Sequence, residues 1–270
     1  MESEFVSKIT FFGTGTSQGV PMIGCNCDVC KSTDPRDNRL RSSALIDHSG
    51  FKILIDAGPD FRYQMLRSNT SYLDAILLTH EHKDHTGGLD DIRAFNYFTG
   101  KPFPIYCEER VFKSLKREFS YVFEENPYPG APQFDIRVID EHPFTVSGHN
   151  SGERVCEVIP VRALHYKLPV LGFRIGNIAY ITDAVMIPES EFDKLKDLDI
   201  LVINTVRREK HISHFSLDEA IDVIKRVDPK LGFLTHLSHQ IGLHSTLERD
   251  LPKGIYAAYD GLSVSTTNPK

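Results

Sequence analysis

Long hydrophobic runs are absent from this sequence of 270 residues. The longest apolar stretches, such as Ala75–Leu78 and Ile200–Ile203, have the length of a strand, whereas a membrane-spanning helix needs about 20 apolar residues. The segment Met1–Thr10 also lacks the basic region and apolar core that together mark a secretory signal. From these absences we expect a cytoplasmic protein that has no membrane partner.

Excess positive charge, internal repeats and Gly/Ser-rich linkers are absent too. The chain carries 31 Lys and Arg against 37 Asp and Glu, which gives a net charge of −6. An acidic chain offers no broad basic surface to phosphates, so we do not expect nucleic acid as a partner. Because no linker divides the sequence, we expect a single domain over residues 1–270, which can bury a core without disulfides.

Hydrophobic patterning predicts strand-rich hairpins with interspersed helices, and not the strict alternation of a doubly wound parallel sheet. The predicted strands are Lys8–Phe12, Ser43–Asp47, Phe51–Asp56, Ala75–Thr79, Val155–Val161, Val170–Ile175, Ile178–Thr182, Ile200–Asn204, Leu231–Thr235, Ile255–Ala258 and Leu262–Ser265. Helices are predicted over Gly88–Phe98 and Glu109–Phe119, and a capping box at Ser216–Glu219 opens another.

The densest chemical signal follows the predicted strand Ala75–Thr79. It reads His80-Glu81-His82-Lys83-Asp84-His85, and imidazole and carboxylate are ligands for Zn²⁺, Mn²⁺ or Fe²⁺. In an extended chain His80, His82 and Asp84 point to one side and His85 to the other, so the chain must curl for all four to face metal. They could serve two ions, with His80 and His82 on one and Asp84 and His85 on the other. The alternative is a solvated polar loop with scattered histidines.

This motif resembles the signature of the metallo-β-lactamase superfamily, His-x-His-x-Asp-His. The resemblance implies an α/β fold of the αββα sandwich type, in which two mixed sheets are flanked by helices and a one- or two-metal site lies at their edge. It also implies further ligands from later loops that each follow a strand. His165, Asp183 and His236 hold such positions, and Asp183 could bridge both ions.

The cysteines form a second cluster. The chain has five, an odd number, and Cys25, Cys27 and Cys30 lie within six residues, which favours metal over disulfides in a cytosolic protein. We expect a zinc knuckle at about residues 21–35. Structural zinc takes four ligands, so a fourth must come from elsewhere, and Cys107 and Cys156 are possible. The alternatives are a Cys-x-x-Cys redox pair and three buried thiols without a ligand.

A narrower resemblance links this cluster to the PhnP-type phosphodiesterases of the carbon–phosphorus lyase pathway. It rests on the runs Gly13–Pro21, Gly24–Cys30 and Thr235–Gln240, and it extends from about residue 8 to residue 262. It implies that His239, the second His of Thr-His-x-Ser-His, completes one structural Zn²⁺ site. It also implies two Mn²⁺ or Zn²⁺ ions at the active site and a homodimer.

The expected chemistry is metal-assisted hydrolysis of a small phosphodiester. Divalent ions lower the pKa of bound water to about 7 and so supply hydroxide. Asp84 and Asp183 offset two of the four positive charges of two such ions and a bridging hydroxide offsets a third, so the pocket stays cationic and suits a phosphate ester. Asp84 therefore counts as both a ligand and a catalytic residue.

The resemblance also implies which residue is the general acid and which class of phosphodiester is the substrate. It implies a His three residues before a leucine of the following helix, which His214 and Leu217 match, while His211 ranks second. It also implies a cyclic phosphodiester. The alternatives are a tRNA 3′-processing-like nuclease, a glyoxalase II-like thioesterase and a metal-binding scaffold without activity.

Overall fold

The computed structural model describes residues 7–148 and 154–266. Within these residues the chain forms two seven-stranded sheets that pack face to face, with helices on their outer faces. This arrangement confirms the predicted αββα sandwich. That residues 1–270 form one domain stays a prediction, and residues 1–6, 149–153 and 267–270 lie outside the described parts of the chain.

The strands are numbered in chain order. They are β1 (Ser7–Gly13), β2 (Ser43–His48), β3 (Phe51–Ile55), β4 (Ala75–Leu77), β5 (Phe103–Glu108), β6 (Phe134–Ile139), β7 (Phe144–Ser147), β8 (Val155–His165), β9 (Leu168–Ile175), β10 (Ile178–Ile181), β11 (Ile200–Asn204), β12 (Leu231–Thr235), β13 (Ile255–Ala257) and β14 (Ser263–Ser265). The spatial order is β14-β1-β2-β3-β4-β5-β6 in the first sheet and β13-β12-β11-β10-β9-β8-β7 in the second. Both sheets are mixed, because β3 to β6 and β10 to β13 pair in parallel and the other neighbours pair antiparallel.

The α-helices are α1 (Phe61–Ser68), α2 (Lys83–Thr86), α3 (Arg93–Thr99), α4 (Glu109–Glu118), α5 (Leu217–Val227) and α6 (His244–Asp250). The capping box predicted at Ser216 is confirmed: its side chain accepts from the backbone N–H of Glu219, and the Glu219 carboxylate accepts in return. No helix among the described residues has the length and apolar character needed to span a membrane.

Alternation along the central strands builds three apolar layers. Ile46 and Ile53 point between the sheets, where they meet residues such as Val202 of the second sheet. Leu45 and Leu54, one position away, point to the opposite face and pack under α1, α3 and α4. The outer face of the second sheet is covered in the same way by α5 and α6. Both sheets are thus packed on both of their faces. The loops that connect the elements begin at the ends of these packed strands.

The sequence patterns did not predict every helix and strand correctly. The predicted helix Gly88–Phe98 is a 3₁₀ turn, Leu89–Ile92, followed by α3. The elements β5, β6, β7, α1 and α6 were not predicted. In β5 the cause is Pro104, which weakens a strand pattern although it lies within the parallel pairing with β6. In β6 most side chains are only half-buried, so apolar and polar positions do not alternate clearly.

Candidate active site

The predicted ligands converge where loops leave the carboxyl ends of strands from both sheets. His80 to His85 follow β4, His165 ends β8, Asp183 follows β10 and His236 follows β12. The sheets are joined at this edge, since the N–H of Leu171 in β9 donates to the carbonyl of Thr79 at 3.1 Å. Residues more than 150 positions apart in sequence therefore share one pocket.

Asp183 lies at the centre of this pocket. One of its oxygens is 3.1 Å from Nε2 of His85, and the other is 3.3 Å from Nε2 of His236. It belongs to three groups of side chains whose ligand atoms lie within 4.8 Å of one another. The groups are His80 with His85 and Asp183, His165 with Asp183 and His214, and Asp84 with Asp183 and His236. A carboxylate common to all three groups could serve more than one metal ion.

The motif loop curls as expected. The chain is extended at His82, and α2 then turns His85 back towards the pocket, with its N–H bonded to the carbonyl of His82 at 3.0 Å. The groups differ from the pairing expected from the sequence, because His80 shares a group with His85 and not with His82. His82 still lies beside them, with its Nδ1 3.0 Å from Nε2 of His80.

Four imidazoles are oriented through their second nitrogen. Nδ1 of His85 contacts Asp56 at 2.7 Å, and Nδ1 of His80 contacts the hydroxyl of Thr79 at 2.9 Å. Nδ1 of His236 contacts the hydroxyl of Ser42 at 3.0 Å, and Nδ1 of His165 contacts the carbonyl of Ser213 at 2.9 Å. These contacts fix the rings with Nε2 towards the pocket, as partners of metal-bound histidines do.

Sequence reasoning did not identify Asp56 and Ser42. Asp56 is completely buried, has a φ of 62°, and accepts from the backbone N–H of Thr79 at 2.9 Å. A signal for it existed, because it is a charged residue that directly follows a buried apolar strand. Ser42 gave no such signal: it is a serine in a loop, and its contact with His236 spans 194 positions.

Burial and neighbouring charges shift the pKa values of the pocket residues in opposite directions. Burial lowers the pKa of His80, His82 and His236, and for His80 the value falls well below its usual range. Burial also acts to lower the pKa of His85, but the three surrounding carboxylates outweigh it and hold that pKa well above its usual value. Burial acts to raise the pKa of Asp183, but nearby imidazoles hold it well below its usual value. The pocket thus keeps Asp84 and Asp183 ionised and most imidazoles neutral, the protonation states in which both kinds of side chain bind metal.

The donor set fits divalent ions. Nε2 of His85 and Nδ1 of His214 are buried and have no hydrogen-bond partner among the described residues. Both nitrogens point at Asp183, at 3.1 Å and 3.8 Å. Buried polar atoms normally have a partner, and imidazole nitrogens with carboxylates are the ligands of zinc and manganese sites.

His214 lies inside the pocket and His211 lies at its rim. The ring of His214 is 4.6 Å from that of His165 and 5.0 Å from that of His236. Burial lowers the pKa of His214 to about 3. His211 is half-buried, 5.0 Å from the ring of His214, and its Nδ1 accepts from the N–H of Ser213 at 3.3 Å. Of the two, His214 is the one that reaches the carboxylate shared by the ligands.

The cysteine cluster forms a separate site. Nδ1 of His239 lies 3.4 Å from Sγ of Cys25 and 3.3 Å from Sγ of Cys27. Together with Cys30, these ligand atoms lie within 4.8 Å of one another. Cys107 and Cys156, considered from the sequence as fourth ligands, lie instead in the buried apolar layers. A Cys₃His set of this kind is one that structural zinc takes, so these four residues could hold such an ion.

One segment connects the two sites. His236 is in the pocket and His239 is in the knuckle, three residues later. Between them, Ser238 donates to the carbonyl of Val206 at 2.6 Å, and Leu237 donates to the carbonyl of Thr14 at 2.8 Å. This anchored segment therefore fixes the positions of ligands in both clusters.

Comparison with known proteins gives the family. The family model described as the β-lactamase superfamily domain matches residues 52–237, more than half of the chain. A solved structure described as a new diphosphatase from the PhnP family superposes with a TM-score of 0.87 at 36% identity, over 96% of this chain and 97% of that one.

Two sequence relatives have other names. A Porphyromonas gingivalis protein named octanoyltransferase is 43% identical over 260 residues, which is 95% of this chain but 51% of that protein. A ribonuclease Z of Pyrobaculum islandicum is 31% identical over 126 residues, which is 45% of this chain and 39% of that protein. The chain spans about half the length of the curated relatives it matches. The family model and the PhnP-family structure agree with the fold, and the chain belongs to the metallo-β-lactamase superfamily, with a close likeness to its PhnP family.

Proposed function

We propose that this protein is a metal-dependent phosphodiesterase that hydrolyses a small, cyclic phosphodiester. The observation that carries the proposal is the carboxylate of Asp183, which three groups of ligands share beside the imidazole of His214. His80, His82, Asp84, His85, His165, Asp183 and His236 would hold two divalent ions. Such ions supply hydroxide at neutral pH and stabilise the charge that develops on the phosphoryl oxygens.

The charge of the pocket supports an anionic substrate. Two divalent ions bring four positive charges. The balance drawn from the sequence counts Asp84, Asp183 and a bridging hydroxide, and the buried Asp56 adds a third carboxylate through His85. The three carboxylates alone therefore leave one positive charge, because imidazoles in ligand positions are neutral, and a bridging hydroxide would bring the balance to about zero. Asp56 lies behind the ring of His85, however, so a substrate would face the ions more directly than this carboxylate. A phosphodiester, with one negative charge, complements this pocket better than a neutral ester does.

His214 is proposed to donate a proton to the leaving oxygen. Its low pKa keeps the ring neutral in the free protein, since burial disfavours the imidazolium. A bound phosphodiester brings a negative charge that favours the protonated ring. Loss of His214 should therefore slow substrates with basic leaving groups most. If His214→Ala instead lost a metal ion, the residue would be a ligand and not the acid.

Turnover of bis(p-nitrophenyl) phosphate and of a 2′,3′-cyclic nucleotide tests the function directly. We expect hydrolysis of both with added Mn²⁺ or Zn²⁺, and none with His80→Ala, whose imidazole lies in the pocket. The control is Lys113→Ala on the exposed face of α4, which should hydrolyse both at the parental rate. Equal, negligible rates for the parent protein and His80→Ala on every phosphodiester would refute the proposal.

A diphosphate-linked substrate is the second candidate. It is favoured by the PhnP-family structure described as a diphosphatase, which is 36% identical to this chain. Each phosphorus of such a substrate carries one ester bond, one anhydride bond and a single negative charge, so it resembles a phosphodiester in charge and the same pocket chemistry applies. A dinucleoside diphosphate belongs in the same assay, and preferential turnover of it over the cyclic substrate would select this candidate.

Nuclease and thioesterase activities have less support. The densest basic cluster of the sequence is Arg207, Arg208 and Lys210. It is partly neutralised, since Arg208 pairs with Asp250 at 2.8 Å and Lys210 lies 3.9 Å from Glu219. RNA affinity depends on free cations. The octanoyltransferase relative is about twice as long as the segment it shares with this chain. A tRNA precursor and an octanoyl thioester complete the substrate panel. A cytoplasmic location and a homodimer stay predictions.

A further inference from the structure

The two residues that separate the ligands of the motif loop both contact helix α4. Glu81 and Lys83 alternate with His80, His82 and Asp84 along the chain. The Glu81 carboxylate forms an ion pair with Arg110, in the first turn of α4. The Lys83 ammonium lies 2.9 Å from the carboxylate of Glu118, the last residue of α4. The helix therefore contacts the back of the loop at both of its ends.

Arg110 also reaches the second sheet. Its other terminal nitrogen donates to the carbonyl of Pro169 in β9 at 2.5 Å. Pro169 lies next to Leu168, which pairs with His165 at the end of the β8–β9 hairpin. A single guanidinium thus connects the loop that carries His80 and His82 with the hairpin that carries His165. The rings of His82 and His165 are 5.3 Å apart.

These two ion pairs differ in burial. The side chains of Arg110 and Glu81 are 32% and 22% exposed, and that of Lys83 is 65% exposed. Pairs this close to solvent contribute little to overall stability. A planar guanidinium that binds a carboxylate and a carbonyl at once does restrict how these two groups are oriented relative to each other, however. Arg110 is therefore suited to fixing where ligands point, and Glu118 should have a weaker effect.

We propose that Arg110 is a positioning residue that holds the His80–His85 loop and the His165 hairpin together, and so sets the affinity of the pocket for its metal ions. The inference rests on the proposed metal-binding role of the pocket, but it does not depend on the substrate. Glu81 is its partner in the loop. Neither residue needs to touch a metal ion or a substrate for this role.

Metal retention in a chelator competition, measured by elemental analysis, tests the inference without any assay of turnover. We expect Arg110→Ala and Glu81→Ala to weaken metal binding in the pocket by about tenfold or more, the size seen when partners of metal ligands are removed. The ion in the knuckle should be retained, as should the thermal unfolding temperature of the metal-free protein. The charge-swapped double variant, Glu81→Arg with Arg110→Glu, should recover part of the loss.

Lys113→Ala is the matched control, because Lys113 pairs with Glu109 on the exposed face of the same helix. It should keep the parental metal affinity. The inference is overturned if Arg110→Ala retains metal as Lys113→Ala does. It is also overturned if Arg110→Ala loses the pocket and knuckle ions in parallel with a lower unfolding temperature, which would indicate a general structural role. Absence of phosphodiesterase activity in the parent protein would leave these outcomes unaffected.

Discussion

The pocket and the knuckle hold their ligands in different ways. Pocket ligands come from both sheets, and the central ones, such as His85 and Asp183, are almost completely buried. Three of the four knuckle ligands come from the short run Cys25–Cys30, and all four are only partly buried. The pocket has oxygen and nitrogen donors, whereas the knuckle has mostly sulfur.

The difference is the one expected between a site for chemistry and a site for stability. The pocket places the ionised carboxylates of Asp84 and Asp183 among imidazoles, and several of these side chains are held by further hydrogen bonds. The knuckle has the closed Cys₃His set, which leaves no position for a substrate. The shared segment His236–His239 connects it directly to the pocket. Each variant below should affect one site much more than the other.

Asp183→Asn should have the largest effect. Asn cannot supply the negative charge that three groups of ligands share, so we expect loss of at least one pocket ion and a fall in activity of about a thousandfold or more. Elemental analysis should still find the zinc of the knuckle. If Asp183→Asn kept a full complement of ions and its activity, the pocket would not be organised around this residue.

Asp56→Asn should have a smaller effect on the same site. The amide keeps the shape but removes the charged acceptor for Nδ1 of His85, which we expect to lower pocket metal affinity or activity by about 10- to 100-fold. Asp260→Asn is the control, because Asp260 is also a buried carboxylate but bonds to the backbone of Thr14 and Leu40 instead of a ligand. It should lower stability and leave metal affinity unchanged. Equal metal affinities in the two variants would contradict the orienting role of Asp56.

How far the sequence predicts each site depends on how local its contacts are. The His80–His85 motif and the three cysteines are dense in the sequence, so residue types and spacing identify them. His165, Asp183 and His236 are single residues at strand ends, and His239 begins a 3₁₀ turn four residues after β12. Only the resemblance to a family connected them. The structure brings all of them into the two clusters.

Residues that orient the ligands were harder to identify. Ser42 is an ordinary loop residue, and its role arises only when the first sheet meets the second. Arg110 lies on a helix whose amphipathic pattern was recognised, but nothing in that pattern links it to Glu81, 29 positions away. Strands with clear alternation, such as β2 and β3, were predicted well, whereas β5 and β6 depend on their neighbours in the sheet. Contacts that exist only after the layers pack leave no periodic signal in the sequence.

The smallest predicted effect concerns the thiols of the metal-free knuckle. The hydrogen bond from His239 lowers the pKa of Cys27 to about 6, while burial raises the pKa of Cys30 to about 11. Above pH 6 Cys27 is therefore mostly thiolate, and Cys30 stays protonated until the pH nears 11. A low-pKa thiolate is a weaker nucleophile, which offsets much of this difference, so we expect iodoacetamide to modify Cys27 about tenfold faster than Cys30 at pH 7.5.

Peptide mass spectrometry across pH 5 to 10 measures both rates. The rate for Cys27 should rise with a midpoint at about pH 6, and added Zn²⁺ should protect both thiols. Asp183→Asn should leave these rates unchanged, because the pocket contributes no sulfur to the knuckle. Equal rates for the two cysteines, or a midpoint near 9 for Cys27, would show that His239 does not activate this thiol. The knuckle would then hold its metal through the proximity of its ligands, without a prepared thiolate.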